Sequence, residues 1–153
     1  MRDEKWLYHL LAEIREKYFP DTRGNTIKIK FGRPSRTRLG SITLRKKGQE
    51  NRRLLRNEAR NISSDDLVSV ITINPLLAHG DVPDKITLAT IVHEFIHYAQ
   101  GFNSAIEQNI IHPHRGNIMQ KEFSRIGLVD LYFFQKNWLK ENWISFLQKR
   151  HFH

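Results

Sequence analysis

No cysteine occurs in the 153 residues of this chain. Disulfide frameworks, thiol nucleophiles and Cys-ligated zinc ribbons are therefore excluded. Long apolar runs are missing too, and no stretch approaches the ~18 residues of a membrane span. The opening MRDEKWLYHLLAEIREKY is broken by charge throughout, so it holds no apolar region of the length a secretory signal needs. Acidic residues are scarce in one place. Between Arg23 and Arg60, thirteen Lys and Arg face only Glu50 and Glu58, a local +11 in a chain whose net charge is +9. With 27% charged and 39% hydrophobic residues, the composition is that of a globular protein. The expectation is one domain over 1–153 with no C-terminal zinc ribbon, cytoplasmic and monomeric, without a membrane partner. The concentrated positive field would attract nucleic acid or another polyanion through Arg33, Arg36, Arg38, Arg45, Lys46, Lys47, Arg52 and Arg53.

The apolar residues have clear periods. Trp6, Leu7, Leu10, Leu11, Ile14 and Tyr18 recur at helical spacing and predict a helix over Asp3–Tyr18, ended by Phe19-Pro20-Asp21. Thr26–Phe31 (TIKIKF) alternates apolar and basic residues, as a half-buried strand does, and Leu39–Lys47 reads as a second strand with a basic end. Gln49–Asp66 is polar and basic, either a long hairpin excursion or a short surface helix around Arg52–Ala59. Val68–Leu77 (VSVITINPLL) is the strongest strand signal. Asp84 is the expected N-cap of a central helix over Lys85–Phe102. A loop over Ser104–Pro113 follows, then helices over Gly116–Ile126 and Asp130–Lys149. The aromatic load of the last is expected to pack on the domain. The fold class is therefore α+β: a small mixed or antiparallel sheet of about three strands, packed with an N-terminal helix, a central helix and C-terminal helices.

The central helix carries TIVHEFIHYAQG. Residues four apart share a helix face, so His93 and His97 can aim at one point, while Glu94, turned by ~100°, can reach a water there. With eight histidines and nine glutamates in the chain, such a motif arises by chance in roughly 2 of 100 sequences. The motif therefore needs its context. His93, Glu94 and His97 are interleaved with Ile91, Val92, Phe95 and Ile96, and burying ionisable groups among these costs free energy unless a metal pairs them. A third ligand is at hand in His114, with His112 and Glu122 as alternatives; Glu122 would otherwise orient a ligand imidazole. The pattern HExxHxxGxxH is excluded, because Gln100 and Asn103 occupy its last two fixed positions.

TRLGSITL, VITINPLL, VPDKITLATIVHEFIHYAQG and HRGNIMQKEF, in that order over Ile27–Ile126, resemble the SprT-like zinc metallopeptidase domain. The resemblance implies a zincin-like fold, one zinc ion per chain held by His93, His97 and His114, and Glu94 as the catalytic carboxylate. The implied activity is hydrolysis of a protein or peptide substrate by a metal-activated water, with Glu94 as general base. Arg115, Tyr98 and whichever of His112 and His114 is not a ligand are candidates to stabilise the oxyanion. An extended substrate would add to the sheet along the Gly40–Lys47 strand. Some enzymes of that family act on proteins attached to DNA, which would give the basic segment a use. The rival reading is a non-catalytic module with a structural zinc site that binds nucleic acid or protein. A third is a structural partner that associates through its aromatic last helix.

Overall fold

The computed structural model describes residues 2–108, 110 and 112–152, so Asn109 and Ile111 of the loop expected over Ser104–Pro113 lie outside the described residues. The chain is α+β. Among the described residues five helices, α1 (Glu4–Tyr18), α2 (Arg56–Ala59), α3 (Asp84–Ala99), α4 (Ile118–Arg125) and α5 (Val129–Lys149), accompany strands β1 (Thr26–Phe31), β2 (Gly40–Lys46) and β3 (Leu67–Ile73). The sheet order is β1-β3-β2, with β1 parallel and β2 antiparallel to β3. β3, the most apolar strand, takes the centre and is buried along nearly its whole length. β1 keeps its alternation, with Ile27 and Ile29 inward and Lys28 and Lys30 outward.

The two sheet edges are treated differently. α1, capped by Asp3 accepting from Trp6 N at 3.0 Å, covers the β1 edge. There Glu4 accepts from the Phe31 N–H at 3.1 Å and the Tyr8 hydroxyl from the Ile29 N–H at 3.4 Å. On β2 the residues from 48 onward reach back only as far as Leu44, whose carbonyl accepts from Leu54 N at 2.7 Å. The Leu39 carbonyl instead turns inward, to Asn74 N at 2.8 Å. Since backbone groups alternate along a strand, those of Gly40 and Ile42 point the same way as Leu44, away from β3. Among the described residues that stretch has no backbone partner and is the open edge.

α3 runs through the core with Ile86, Ile91, Val92, Phe95 and Ile96 all buried. It starts one residue earlier than expected, with Pro83 at the N-cap and no side-chain cap. Asp84 is not the cap because its carboxylate pairs with Arg2, whose guanidinium also donates to the carbonyls of Leu77, His79 and Val82. The helix ends at Ala99 rather than Phe102. Gly101, at φ +88°, turns the chain so that Gly101 N donates to Tyr98 O and Phe102 N to His97 O, at 3.1 and 2.9 Å. A Cβ on Gly101 would sit 2.5 Å from Gln108 Cα, so only glycine fits. α4 also starts late, at Ile118, which leaves His114 in the preceding turn and not at the head of a helix.

The excursion between β2 and β3 holds a short helix, α2, and a 3₁₀ turn at Ser64–Asp66, over a small satellite core of Leu44, Leu54 and Leu67. α5 packs most of its aromatics against the domain, with Phe133 left 39% exposed. Trp143 and Phe146 are buried, and Trp143 Nε1 donates to Arg36 O at 2.7 Å. Among the described residues no helix is long and apolar enough to cross a membrane.

Candidate metal centre

His93 and His97 share the face of α3 that looks toward the open edge of β2, and the turn before α4 brings His114 over them. His93 Nε2 and His97 Nε2 lie 3.1 Å apart. The His114 ring centroid is 5.4 Å from that of His93 and 4.7 Å from that of His97. One ring nitrogen from each of the three falls within 4.8 Å of the others. Among the described residues neither His112 nor Glu122 belongs to this group. His112 is exposed. Glu122 accepts from Arg125 at 2.9 and 3.2 Å, so its carboxylate turns to its own helix and not to an imidazole.

The cluster fits a zinc ion by its chemistry. Two nitrogens each ~2.0–2.1 Å from one tetrahedral ion stand about 3.3 Å apart, close to the observed separation. Burial holds His93 down to about 3, with repulsion from His97 and His114 adding to it. It holds His97 down to about 4, again with His114 contributing and Gln100 opposing. Both imidazoles are thus kept neutral, the form that ligates metal.

Glu94 is 7% exposed. Burial pushes its carboxyl up to about 7, with the Arg38 charge opposing. Tight packing brings it to the strand, since a Cβ on Gly40 would lie 2.7 Å from Thr90 Cγ2 on α3. Two adjoining depressions of about 420 and 390 Å³ share Arg38, Gly40, His93 and Glu94, forming one cleft between α3 and the open edge.

Sequence reading missed one residue of this site. Gln100 is 4% exposed, and both of its amide atoms and His97 Nδ1 are buried without a hydrogen-bond partner among the described residues. Gln100 stands one turn after His97, and its side-chain amide raises the imidazole's pKa against the effect of burial. The available signal is its i, i+3 spacing from His97 in an apolar helix. Gln100→Leu is expected to weaken zinc binding about 10–100-fold, as loss of an imidazole's orienting partner does. Gln100→Glu should recover most of the affinity in a chelator competition.

The expected role of Tyr98 is corrected. Its ring is fully buried and its hydroxyl donates to Asn25 O at 2.6 Å, so it points into the core and offers nothing to an oxyanion. Asn25 in turn donates to Ser69 Oγ and accepts from Ala105 N, which fastens the loop after α3 to the sheet. Arg115 is exposed beside His114. The basic residues divide. Arg38 and Arg53 line the cleft. Arg45 donates to Glu50 O at 2.9 Å, and Arg52 pairs with Glu58 at 2.5 Å. Lys46 is half-buried at the end of β2, while Arg33, Arg36 and Lys47 are exposed.

Compared with models of protein families, curated proteins and solved structures, the chain matches none.

Proposed function

We propose that this protein is a zinc-dependent metallopeptidase. The observation that carries the reading is the meeting of His93, His97 and His114 beside a buried Glu94, in a cleft walled by an unpaired strand edge. The three histidines would hold the metal. A zinc ion there supplies Lewis-acid polarisation and a water of depressed pKa. Glu94 takes a proton at its carboxylate and returns it to the leaving amine, a task for which a value about 7 suits it. The open N–H and C=O groups of Gly40 and Ile42 receive an extended peptide backbone. The His114 ring, exposed at the cleft mouth, completes the ligand set in preference to His112 and Glu122. A cytoplasmic setting accords with the lack of cysteine. Of the eight basic candidates, Arg33, Arg36 and Lys47 are exposed outside the cleft and unpaired among the described residues, available for phosphate contacts on DNA-associated substrates.

The test is metal content per chain, by elemental analysis of protein purified without chelator. Wild type and His112→Ala should each carry about one zinc, as a three-histidine site implies. His97→Ala and His114→Ala should carry none. Zinc-free wild type, even after zinc is offered to folded protein, removes the reading. Loss in His112→Ala with retention in His114→Ala replaces the third ligand.

A further inference from the structure

Arg38 lies where the two depressions of the cleft meet, and Arg53 lines the one that contains His97 and His114. Among the described residues neither guanidinium has an ionic or hydrogen-bonded partner, whereas Arg45 donates to Glu50 O and Arg52 pairs with Glu58 at the surface. Among the described residues Glu94 is the only acidic side chain lining either depression. The backbone that presents Arg38 is fixed from several sides. Asn74 Nδ2 donates to Ser35 O and Arg38 O at 2.7 and 2.9 Å, Arg38 N donates to Ser35 Oγ at 3.1 Å, and Trp143 holds Arg36 O. Arg53 is held likewise, between Leu54 N on Leu44 O and the Arg52–Glu58 pair. Two exposed guanidinium forks without a partner among the described residues, set at the cleft beside the reacting groups, make a recognition feature.

We propose that the cleft selects acidic peptides, with Arg38 and Arg53 receiving Asp or Glu side chains that flank the bond lying over the histidine cluster. The inference rests on reading the cleft as a peptide site. The open edge favours a peptide over a nucleic-acid strand, because Gly40 and Ile42 present a ladder of N–H and C=O groups that an extended backbone fills and a phosphodiester chain does not. Side chains along such a backbone alternate, so acidic residues two apart fall on the same side. A lysine-rich peptide would meet like charge at both positions and lose affinity.

The experiment uses the full zinc-loaded chain carrying Glu94→Gln and two short fluorescent peptides identical except for Glu or Lys at alternate positions. By anisotropy the Glu peptide should bind about tenfold tighter at low salt, with the gap narrowing as salt rises. Arg38→Glu with Arg53→Glu should reverse the order, and the milder Arg38→Gln should shrink it. Equal affinity for the two peptides overturns the inference, as does a preference that survives charge reversal. Turnover of the same peptides by the unmutated chain separates the two readings. Hydrolysis of both at equal rates overturns the acidic preference and leaves the peptidase standing. Selective binding with no hydrolysis supports the recognition and removes the peptidase. An oligothymidylate that binds tighter than the Glu peptide, and is lost in the same reversal, overturns the assignment to peptides.

Discussion

Glu94→Gln should retain its zinc and lose peptide hydrolysis by about 10²–10⁴-fold, the usual worth of a positioned general base. The substitution keeps the size of the side chain and removes its ability to take a proton. Because His93, His97 and His114 are the residues whose ring nitrogens converge, metal content should match wild type by elemental analysis. Folding should survive as well. Glu94 is buried, and at neutral pH its carboxyl is already close to half protonated, so an uncharged amide is no stranger to the site. The predicted loss therefore falls on kcat and not on metal or fold. A Glu94→Gln variant that cleaves peptides at the wild-type rate removes Glu94 from the chemistry. A wild type that binds zinc and cleaves nothing leaves the rival reading, a binding module with a structural metal site.

Features that depend on neighbours in sequence are legible in it. α1 and β1 appear within a residue of their expected ranges because their apolar periods are unbroken and their ends are marked by Asp3, Pro20 and Gly32. The His93–Glu94–His97 group is legible because four residues of helix fix its geometry. Features decided by distant partners are not legible. Nothing near Asp84 announces that Arg2 will take its carboxylate, nor that Asn25 will draw the Tyr98 hydroxyl inward. The central place of β3 follows from pairing with two strands in opposite senses, which its apolar run permits but does not order. Arg38 and Arg53 are two of eight basic candidates in sequence, and only the fold separates them from Arg45 and Arg52, whose partners lie five or six residues along the chain. Glu122 and His112 lie outside the histidine group for a reason of the same kind, since that depends on how the turn before α4 lands on α3.

Zinc-free protein should lose stability as pH falls, by about 2 kcal/mol between pH 6.5 and about pH 5 in urea unfolding. His93 and His97 are depressed to about 3 and about 4 by burial, then by charge repulsion within the cluster. Unfolded, each takes a proton near 6.5. Below that value the unfolded chain binds two protons that the folded chain refuses. Glu94 acts in the opposite direction. Its folded value of about 7 exceeds the ordinary 4.5, so between those limits the folded chain holds one proton that the unfolded chain has released. From about 6.5 down to about 4.5 unfolding therefore takes up a net proton, and stability declines by about 1.4 kcal/mol per pH unit. Below about 4.5 Glu94 no longer offsets the histidines, but folded His97 takes its own proton near 4, so the slope stays close to one proton until both histidines are charged. Zinc at a hundredfold above its Kd should add about 2.7 kcal/mol near pH 6.5, and the gain should vanish on acidification as protons displace the metal. His97→Asn, which removes one of the two buried imidazoles, should cancel the slope between about 4.5 and 6.5 in the zinc-free chain. A stability that is flat across that window in the unmutated zinc-free chain, or that rises toward acid, contradicts the burial of the histidine cluster on which the site is built.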